Sequence, residues 1–587
     1  MSNEFAFKWR VIEPWHEPDG ISYFSTVAAG NIFTWADMLD TLPTSPLGRY
    51  VEQVRDWGFN GMAVYNPETN PEAMRNFARH LKERGIGMFI RRDWLELERG
   101  RSWPISAGGG MLHISSKLCP YKEETRAYWT DRIARDYEMI PELAGYRTNA
   151  TDAYCQNGGP WSCDCKECSS KTARERVRDA IRLLAELLGA HDGTLFWEPC
   201  QDDPWCQRLE KQYFRDLTGE IPENAIVLIK RYYWDFHSRW PRHPLYDVIT
   251  KDAQGRSPYT TSIQQPGEYS GVHDFPWCMV DEWSAAFKDM AATGQVGIWV
   301  MAIVHPDGWD HPLNMANWHA IAQYIKNPHA DPAELKLTWA ISEFGEEAAP
   351  VVVDMLNKVT EAARGMYEFD ALWTANHSRF PNLEYLDSHL CGPYHQLHRM
   401  TGMMGMTLPL DMYEPHEAAE LRTNPQTRMV FNQFPITPQL KAEAMAQKDA
   451  AVRLMEEAID LWRSVEKKID ERMYGKILAG LEGNLNDTII FRHGMDIYMD
   501  WKLGVLTEDK INSALDACRD LRGIIVPEPL AENPERAVGA FEVVPASLKS
   551  LAEQLRRDLC EPWVERYWEK HPSGPTAERM TSPRESS

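Results

Sequence analysis

The sequence predicts a (β/α)8 (TIM) barrel followed by an α-helical C-terminal domain. Two observations in the first three hundred residues support the barrel: eight short runs rich in β-branched and aromatic residues, and amphipathic segments between them. The third observation is that the strand pattern stops after Ile303, beyond which the sequence is mostly helical. In such barrels the chemistry lies at the C-terminal ends of the strands, so we expect the functional residues there.

The predicted strands alternate with helical segments, as repeated βα units require. The helical segments include residues 71–84, 122–139, 172–188 and 281–292, each with apolar residues at three-to-four spacing. The eight predicted strands are residues 8–12, 61–65, 87–91, 145–149, 194–198, 226–231, 259–264 and 297–303.

Two domains and a tail are predicted. The barrel is assigned to residues 1–312 and the helical domain to residues 313–570, with helical patterns at 333–344 and 438–469 among others. Residues 571–587 are rich in Pro, Ser, Arg and Glu, which is typical of a disordered tail.

The composition is that of a globular chain with excess negative charge. Asp and Glu number 86 against 63 Lys and Arg, a net charge of −23, which disfavours nucleic acid and anionic membranes as partners. Eleven Cys, an odd number, fit reduced thiols, and the first residues show no leader pattern, so a cytoplasmic location is expected. The 23 Trp and 22 Tyr suit the core and, in part, sugar faces.

Polar side chains stand at the ends of most predicted strands. Several carboxylates around one mouth suit glycosidic cleavage, because one group must protonate the leaving oxygen while another activates water. Taken singly, each residue is equally explained as an ordinary polar strand end. The residues are Trp15 after strand one, Asn149 and Asp152 at strand four, Glu198 on strand five, Lys230 and Asp235 at strand six, Glu268 after strand seven, and His305, Asp307 and Trp309 after strand eight.

A cysteine cluster is the competing signal. Cys155, Cys163, Cys165 and Cys168 place four sulfurs within fourteen residues, and four thiolates can hold a structural zinc or an iron–sulfur cluster. The spacing is not a pair of C-x-x-C units, so we expect thiols without a metal and keep a structural metal as the alternative. No cofactor is expected, because the glycine run at 108–110 does not follow a strand and open a helix.

Several segments resemble the α-glucuronidases of glycoside hydrolase family 67. Residues 15–20 read Trp-His-Glu-Pro-Asp-Gly, similar to that family's His-Trp-Asp-Asn-x-Asp-Gly, and residues 224–230 read Asn-Ala-Ile-Val-Leu-Ile-Lys, similar to Asn-Val-x-Val-Gln-Ile-Lys. Further similar segments follow in the same order, at residues 30–35, 57–66, 140–145, 267–271, 309–317 and 344–347.

The resemblance implies an inverting hydrolase that releases (4-O-methyl)-glucuronic acid from xylo-oligosaccharides, and so a role in xylan degradation. It places Asp235 and Glu268 on the family's paired carboxylates, which act as general base toward water. It places Lys230 on a lysine that binds the uronate carboxylate. Trp15 falls on a tryptophan that lines the sugar subsite, and Arg174 on an arginine that helps to bind the sugar. Family members also suggest a homodimer through the helical domain.

Strand four departs from the family pattern. The family reads Lys-Ala-Asp-Ser-Glu there, with a uronate-binding lysine and the catalytic acid, whereas this sequence reads Asn-Ala-Thr-Asp-Ala at residues 149–153. Asp152 is therefore the first candidate acid and Glu198 the second. Because the barrel motif begins at residue 15, we expect this chain to lack the family's N-terminal β-domain.

Three hypotheses follow. The first is an inverting α-glucuronidase-like hydrolase acting on a small uronate-bearing oligosaccharide. The second is a glycosidase of the same fold acting on a different sugar, neutral sugars included, which the missing strand-four lysine favours. The third is a non-hydrolytic sugar-binding protein that has lost its acid; the joint presence of Lys230, Asp235 and Glu268 argues against it, because binding alone needs no water-activating pair.

Overall fold

A computed structural model of the chain describes two compact units, the first ending at Val353 and the second beginning at Asp354. The predicted tail at 571–587 lies outside the described residues. These are residues 5–14, 38–39, 43–64, 68, 70–92, 119–149, 165–199, 213–231, 242–264, 277–302, 312–369, 372–373, 437–521, 548–549, 551–553 and 555–556.

The first unit is built on a closed barrel of eight parallel strands, which confirms the predicted fold. The strands follow one another around the barrel in chain order, and β8 pairs with β1 to close it. Each predicted run overlaps one observed strand. The strands are β1 Trp9–Pro14, β2 Gly61–Val64, β3 Gly87–Arg91, β4 Leu143–Asn149, β5 Thr194–Glu198, β6 Ala225–Lys230, β7 Ser257–Gln264 and β8 Gln295–Ala302.

Helices lie between most of the strands, and side chains cap the N-termini of several of them. Asn70 accepts a hydrogen bond from the backbone N–H of Ala73, and Thr172 and Glu175 form a reciprocal capping box. The helices of the first unit are α1 Pro46–Asp56, α2 Pro71–Glu83, α3 Glu123–Met139, α4 Lys166–Ser169, α5 Ala173–Gly189, α6 Val280–Ala292, α7 Met315–Tyr324 and α8 Pro332–Phe344, with a 3-10 helix at Pro244–Val248.

Gly145 permits the close approach of β4 and β5. Its φ of +148° lies in a region that side-chain-bearing residues rarely adopt, and a Cβ at this position would overlap the carbonyl oxygen of Thr194. The pairing of β3 with β4 also shifts register beside it, between Met88 and Phe89. This irregularity sets the register of the strand that carries Arg147.

The second unit is mainly helical. A long helical hairpin is formed by α10 Pro438–Ser464 and α11 Glu471–Lys502, joined by a 3-10 helix at Glu466–Lys468. Ion pairs between Arg492 and Asp449 at 2.9 Å and between Arg463 and Glu482 at 3.0 Å link its two arms. The other elements are α9 Ala349–Tyr367, which begins just before the unit boundary, the two-stranded β9 Glu368–Phe369 and β10 Leu372–Trp373, and α12 Glu508–Ala517.

The predicted boundary after residue 312 stays a prediction. The helices α7 and α8, which follow that residue, pack on each other and on α6 within the first unit. Among the residues that the structure describes, no helix has the length and apolar character needed to cross a membrane.

Candidate active site

The interior of the barrel contains an apolar layer. Along each strand, alternate side chains face the interior, so residues two apart share that face. The rings of Phe89, Phe196 and Trp299 pack against one another, with centroids 5.0 to 6.3 Å apart. The full layer consists of Val11, Ala63, Phe89, Phe196, Ile226, Leu228, Trp299 and Met301.

Charged residues occupy the next interior positions toward the C-terminal ends of five strands. Glu13, Arg91, Glu198 and Lys230 each follow an apolar-layer residue by two positions, and Arg147 follows Gly145 by two. We call these five residues the charged layer. Among the described residues, they lie at the C-terminal end of the barrel interior. This is the end at which (β/α)8 barrels carry their active sites.

Arg147 joins two carboxylates of the charged layer. Its Nη1 donates to Oε1 of Glu13 at 3.0 Å, and its Nη2 donates to Oε2 of Glu198. The indole Nε1 of Trp299 donates to the other oxygen of Glu13. All three charged side chains are at most 4% exposed, so β1, β4 and β5 are linked by ion pairs that are shielded from solvent.

Glu198 has a raised pKa although it is paired with Arg147. Burial raises the pKa of Glu198 above its ordinary value, and nearby Glu13 adds to this effect. The positive charges of Arg147, Lys230 and Arg91 act in the opposite direction but do not reverse the shift. Oε1 of Glu198 has no hydrogen-bond partner among the described residues, whereas Oε2 is held by Arg147. A carboxyl group of this kind is suited to donate a proton.

His243 is a buried neutral imidazole near Lys230. Burial, together with the positive charge of Lys230, lowers the pKa of His243 to about 3. Its Nδ1 accepts a hydrogen bond from the backbone N–H of Leu245 at 3.1 Å, which places the ring proton on Nε2. His243 therefore presents an N–H donor that keeps its protonation state throughout the neutral pH range.

Comparison with known proteins identifies the family. A model described as the glycosyl hydrolase family 67 middle domain matches residues 1–322. The chain belongs to glycosyl hydrolase family 67. An α-glucuronidase of Hypocrea jecorina is 22% identical over 499 residues, which cover 74% of this chain and 55% of that protein. α-Glucuronidase A of Emericella nidulans is 22% identical over 454 residues, 66% of this chain and 50% of that protein. The chain thus spans about half the length of these relatives.

Solved structures give weaker similarities. A family GH138 enzyme targeting pectin rhamnogalacturonan II matches with a TM-score of 0.47 and 12% identity, covering 87% of this chain and 61% of that one. A family GH115 4-O-methyl-α-glucuronidase with specificity for decorated arabinogalactans matches with a TM-score of 0.44 and 12% identity, covering 93% and 62%. Both scores are below 0.5, so neither similarity bears on the site.

In this family 67 barrel, the structure places three of the predicted site residues on the strands. Glu198 and Lys230 belong to the charged layer, and the positive charge of Lys230 acts to lower the pKa of Glu198. Asn149 is the last residue of β4, and its backbone is in register with Glu198 on β5. The other predicted strand-end residues, Trp15, Asp152, Asp235, Glu268, His305, Asp307 and Trp309, lie outside the described residues.

Arg174 lies at the start of α5, in the helical layer of this family 67 barrel. Its guanidinium donates to both carboxylate oxygens of Glu220, at 2.8 and 3.1 Å, and to the backbone carbonyls of Arg215 and Asp216. None of these partners belongs to the charged layer. The sugar-binding role of Arg174 stays a prediction that no described contact supports.

Glu13, Arg91, Arg147 and His243 were not predicted from the sequence. Arg91 and Arg147 lie within predicted strands, and Glu13 directly follows one. Charged residues at these positions are also explained as ordinary parts of a strand, so the sequence does not mark them as functional. The signal that finds the first three is the two-residue alternation counted from an interior apolar residue such as Val11 or Phe89. His243 is far from any predicted strand, and no sequence signal indicates it.

The structure also changes the membership of the cysteine cluster in this family 67 chain. Cys165 and Cys168 lie together, as predicted, but the third member is Cys119, which the sequence did not indicate. The Sγ atoms of these three residues are within 4.8 Å of one another. Cys155 and Cys163 lie outside the described residues.

Proposed function

We propose that this protein is an inverting glycoside hydrolase that releases a uronic acid from a small oligosaccharide, as an α-glucuronidase does. One observation carries the proposal: a buried carboxyl group with a raised pKa, Glu198, and a cation, Lys230, occupy the same interior layer at the C-terminal ends of neighbouring strands. A proton donor beside a cation suits a substrate that has both a glycosidic oxygen and a carboxylate.

In the proposed mechanism, Lys230 binds the carboxylate of the uronic acid. Asp235 and Glu268 activate the attacking water, as the family resemblance implies. The proton for the leaving oxygen comes from Glu198 or from Asp152. These are the two candidate acids, because the family's own acid is missing from strand four. The raised pKa of Glu198 supports the first choice, and its Oε1 is the atom that would carry the proton because Arg147 holds Oε2.

A substrate panel tests the proposal. Purified protein is incubated with aldouronic acids and with matched aryl glycosides of uronic and neutral sugars, and the anomeric configuration of the first product is followed by NMR. The expected result is release of uronic acid in the β configuration from an α-linked substrate. Product that first forms as the α anomer would contradict inversion, and faster hydrolysis of neutral glycosides would contradict uronate specificity.

A second candidate function is hydrolysis of a neutral sugar by the same fold. It is favoured by Asn149, a neutral residue in register with Glu198 at the position where the family has a uronate-binding lysine. The two functions differ in one measurable property. Neutral-sugar specificity predicts equal or better turnover when the substrate carboxylate is replaced by a hydroxymethyl group.

We further propose a homodimer and a cytoplasmic location. The dimer is supported by the family resemblance alone, and the location by the odd number and low share of cysteines, which fit reduced thiols. Light scattering on the purified chain tests the dimer, and a mass of one chain would contradict it. Fractionation of the source cells tests the location.

A further inference from the structure

Three cysteine sulfurs converge at the N-terminal ends of two barrel helices. Cys119 precedes α3, Cys165 precedes the short helix α4, and Cys168 lies within α4. The Sγ atom of Cys119 is 3.1 Å from that of Cys168 and 3.6 Å from that of Cys165. Cys119 and Cys168 are buried, so the cluster lies mostly beneath the surface.

Cys165 and Cys168 form a tight C-x-x-C turn. The Sγ atom of Cys165 caps α4 by accepting the backbone N–H of Cys168 at 3.3 Å, and the carbonyl of Cys165 accepts the N–H of Ser169. Arg176 on α5 donates to the carbonyl of Cys168 at 3.1 Å. An N–H that points at a sulfur stabilises negative charge on it, which is what a thiolate ligand of a metal requires.

The spacing of the sulfurs fits one ion. Thiolates bound to tetrahedral zinc at about 2.3 Å stand about 3.8 Å apart. The 3.6 Å separation is close to this value and the 3.1 Å separation is shorter, so the Cys119 and Cys168 sulfurs would move slightly apart to share an ion. A disulfide between Cys119 and Cys168 would need a bond of about 2.05 Å, well below their 3.1 Å separation. An iron–sulfur cluster distributes its thiolates over several irons and so spreads them farther than ligands of a single ion.

We propose that Cys119, Cys165 and Cys168 are ligands of a structural zinc ion. Soft thiolate ligands select zinc over magnesium or calcium. Among the described residues, the cluster consists of three cysteines and includes no carboxylate. The ion ties the chain ahead of α3 to the chain ahead of α5. It therefore fixes the end of the segment that follows β4, the segment in which the candidate acid Asp152 stands in the sequence. This inference goes beyond the proposed function and does not depend on it.

Metal analysis of the full chain is the first test. Protein purified without chelators is expected to contain about one zinc per chain, and Cys119→Ser and Cys168→Ser are expected to lose it. Cys278→Ser and Cys518→Ser are matched controls, because both cysteines are buried but lie outside the cluster, and these variants should keep the zinc. Protein without bound metal, iron in place of zinc, or equal zinc loss in the controls would overturn the proposal.

A second measurement on the unaltered chain avoids variants that fail to fold. Cysteines are alkylated before and after treatment with a chelator, and the labelled peptides are identified by mass spectrometry. The expected result is that Cys119, Cys165 and Cys168 become labelled only after the chelator, whereas labelling of Cys278 and Cys518 does not change. Labelling of all five regardless of chelator, or a disulfide between Cys119 and Cys168, would contradict a zinc site.

Discussion

Glu198 combines two properties that differ in their effect on catalysis. Burial raises its pKa, which favours the protonated form that an acid needs, while Arg147 holds one of its oxygens in place. A proton donor matters most when the leaving group is a poor one, because a good leaving group departs without protonation. The dependence of the rate loss on the leaving group therefore distinguishes a catalytic acid from a residue that only holds other side chains in place.

We therefore predict that Glu198→Gln lowers kcat by about 10²- to 10⁴-fold on an oligosaccharide, with a much smaller loss on a nitrophenyl glycoside. The alkaline limb of the kcat/KM profile should also disappear, because raising the pH through the pKa of the acid removes its proton. Steady-state kinetics on both substrates across pH check this. Equal losses on the two substrates would exclude Glu198 as the acid, and Asp152→Asn tested in parallel would then show the leaving-group dependence instead.

Lys230 provides the test of what the site binds. Replacing it by Met keeps most of the length of the side chain but removes the charge, and a hydrogen bond to a charged group contributes about 1.5 to 3 kcal/mol. We expect Lys230→Met to raise KM for a uronic substrate by about 10- to 100-fold and to leave KM for the neutral analogue little changed. Lys251→Met, at an exposed lysine ahead of β7, is the control. A similar rise in KM for both substrates would show that Lys230 does not recognise the carboxylate.

At the scale of the elements, the ion pairs of Arg147 connect three strands through the barrel interior. Breaking a buried ion pair on one side leaves a carboxylate without its counter-charge and costs about 3 to 5 kcal/mol. We expect Arg147→Met to lower the unfolding free energy of the barrel by about that amount at pH 8. The loss should be smaller at pH 5, because burial raises the pKa of Glu198, which can then take up a proton and no longer needs a cation.

Chemical denaturation followed by tryptophan fluorescence measures this change, and hydrogen exchange in peptides from β4 and β5 assigns it to the barrel. Arg135→Ala is the control, because Arg135 pairs with Asp131 on an exposed helix face and should have little effect. Unchanged stability of Arg147→Met at both pH values would show that the network adds no net stability.

The sequence predicted the strands and helices better than the contacts between their side chains. Strands such as β3 and β5 have the bounds that their apolar runs indicate, because burial inside a parallel barrel requires such runs. Whether Arg91 and Arg147 face the barrel interior is defined only by the closed barrel and not by the sequence of one strand. Cys119 joins Cys165 across forty-six positions, and no local spacing encodes that contact. The β9–β10 pair has strands of only two residues, too short to leave a periodic pattern.

At the scale of the whole molecule, the net charge of −23 opposes the approach of an anionic substrate. Salt screens this long-range repulsion, since the Debye length falls from about 30 Å at 0.01 M to about 10 Å at 0.1 M ionic strength. Contact with Lys230 acts over a few ångströms inside the barrel and is screened much less. The two contributions can therefore be separated by ionic strength.

We predict that kcat/KM for a uronic substrate rises between 10 and 100 mM salt, whereas kcat/KM for the matched neutral substrate stays constant. The neutral substrate controls for effects of salt on the enzyme itself, and the Lys230→Met variant should keep the salt dependence although its KM is higher. A fall in kcat/KM for the uronic substrate would mean that positive charge near the barrel mouth attracts it from a distance. In that case the local field, rather than the net charge of the chain, controls how an anionic sugar reaches the site.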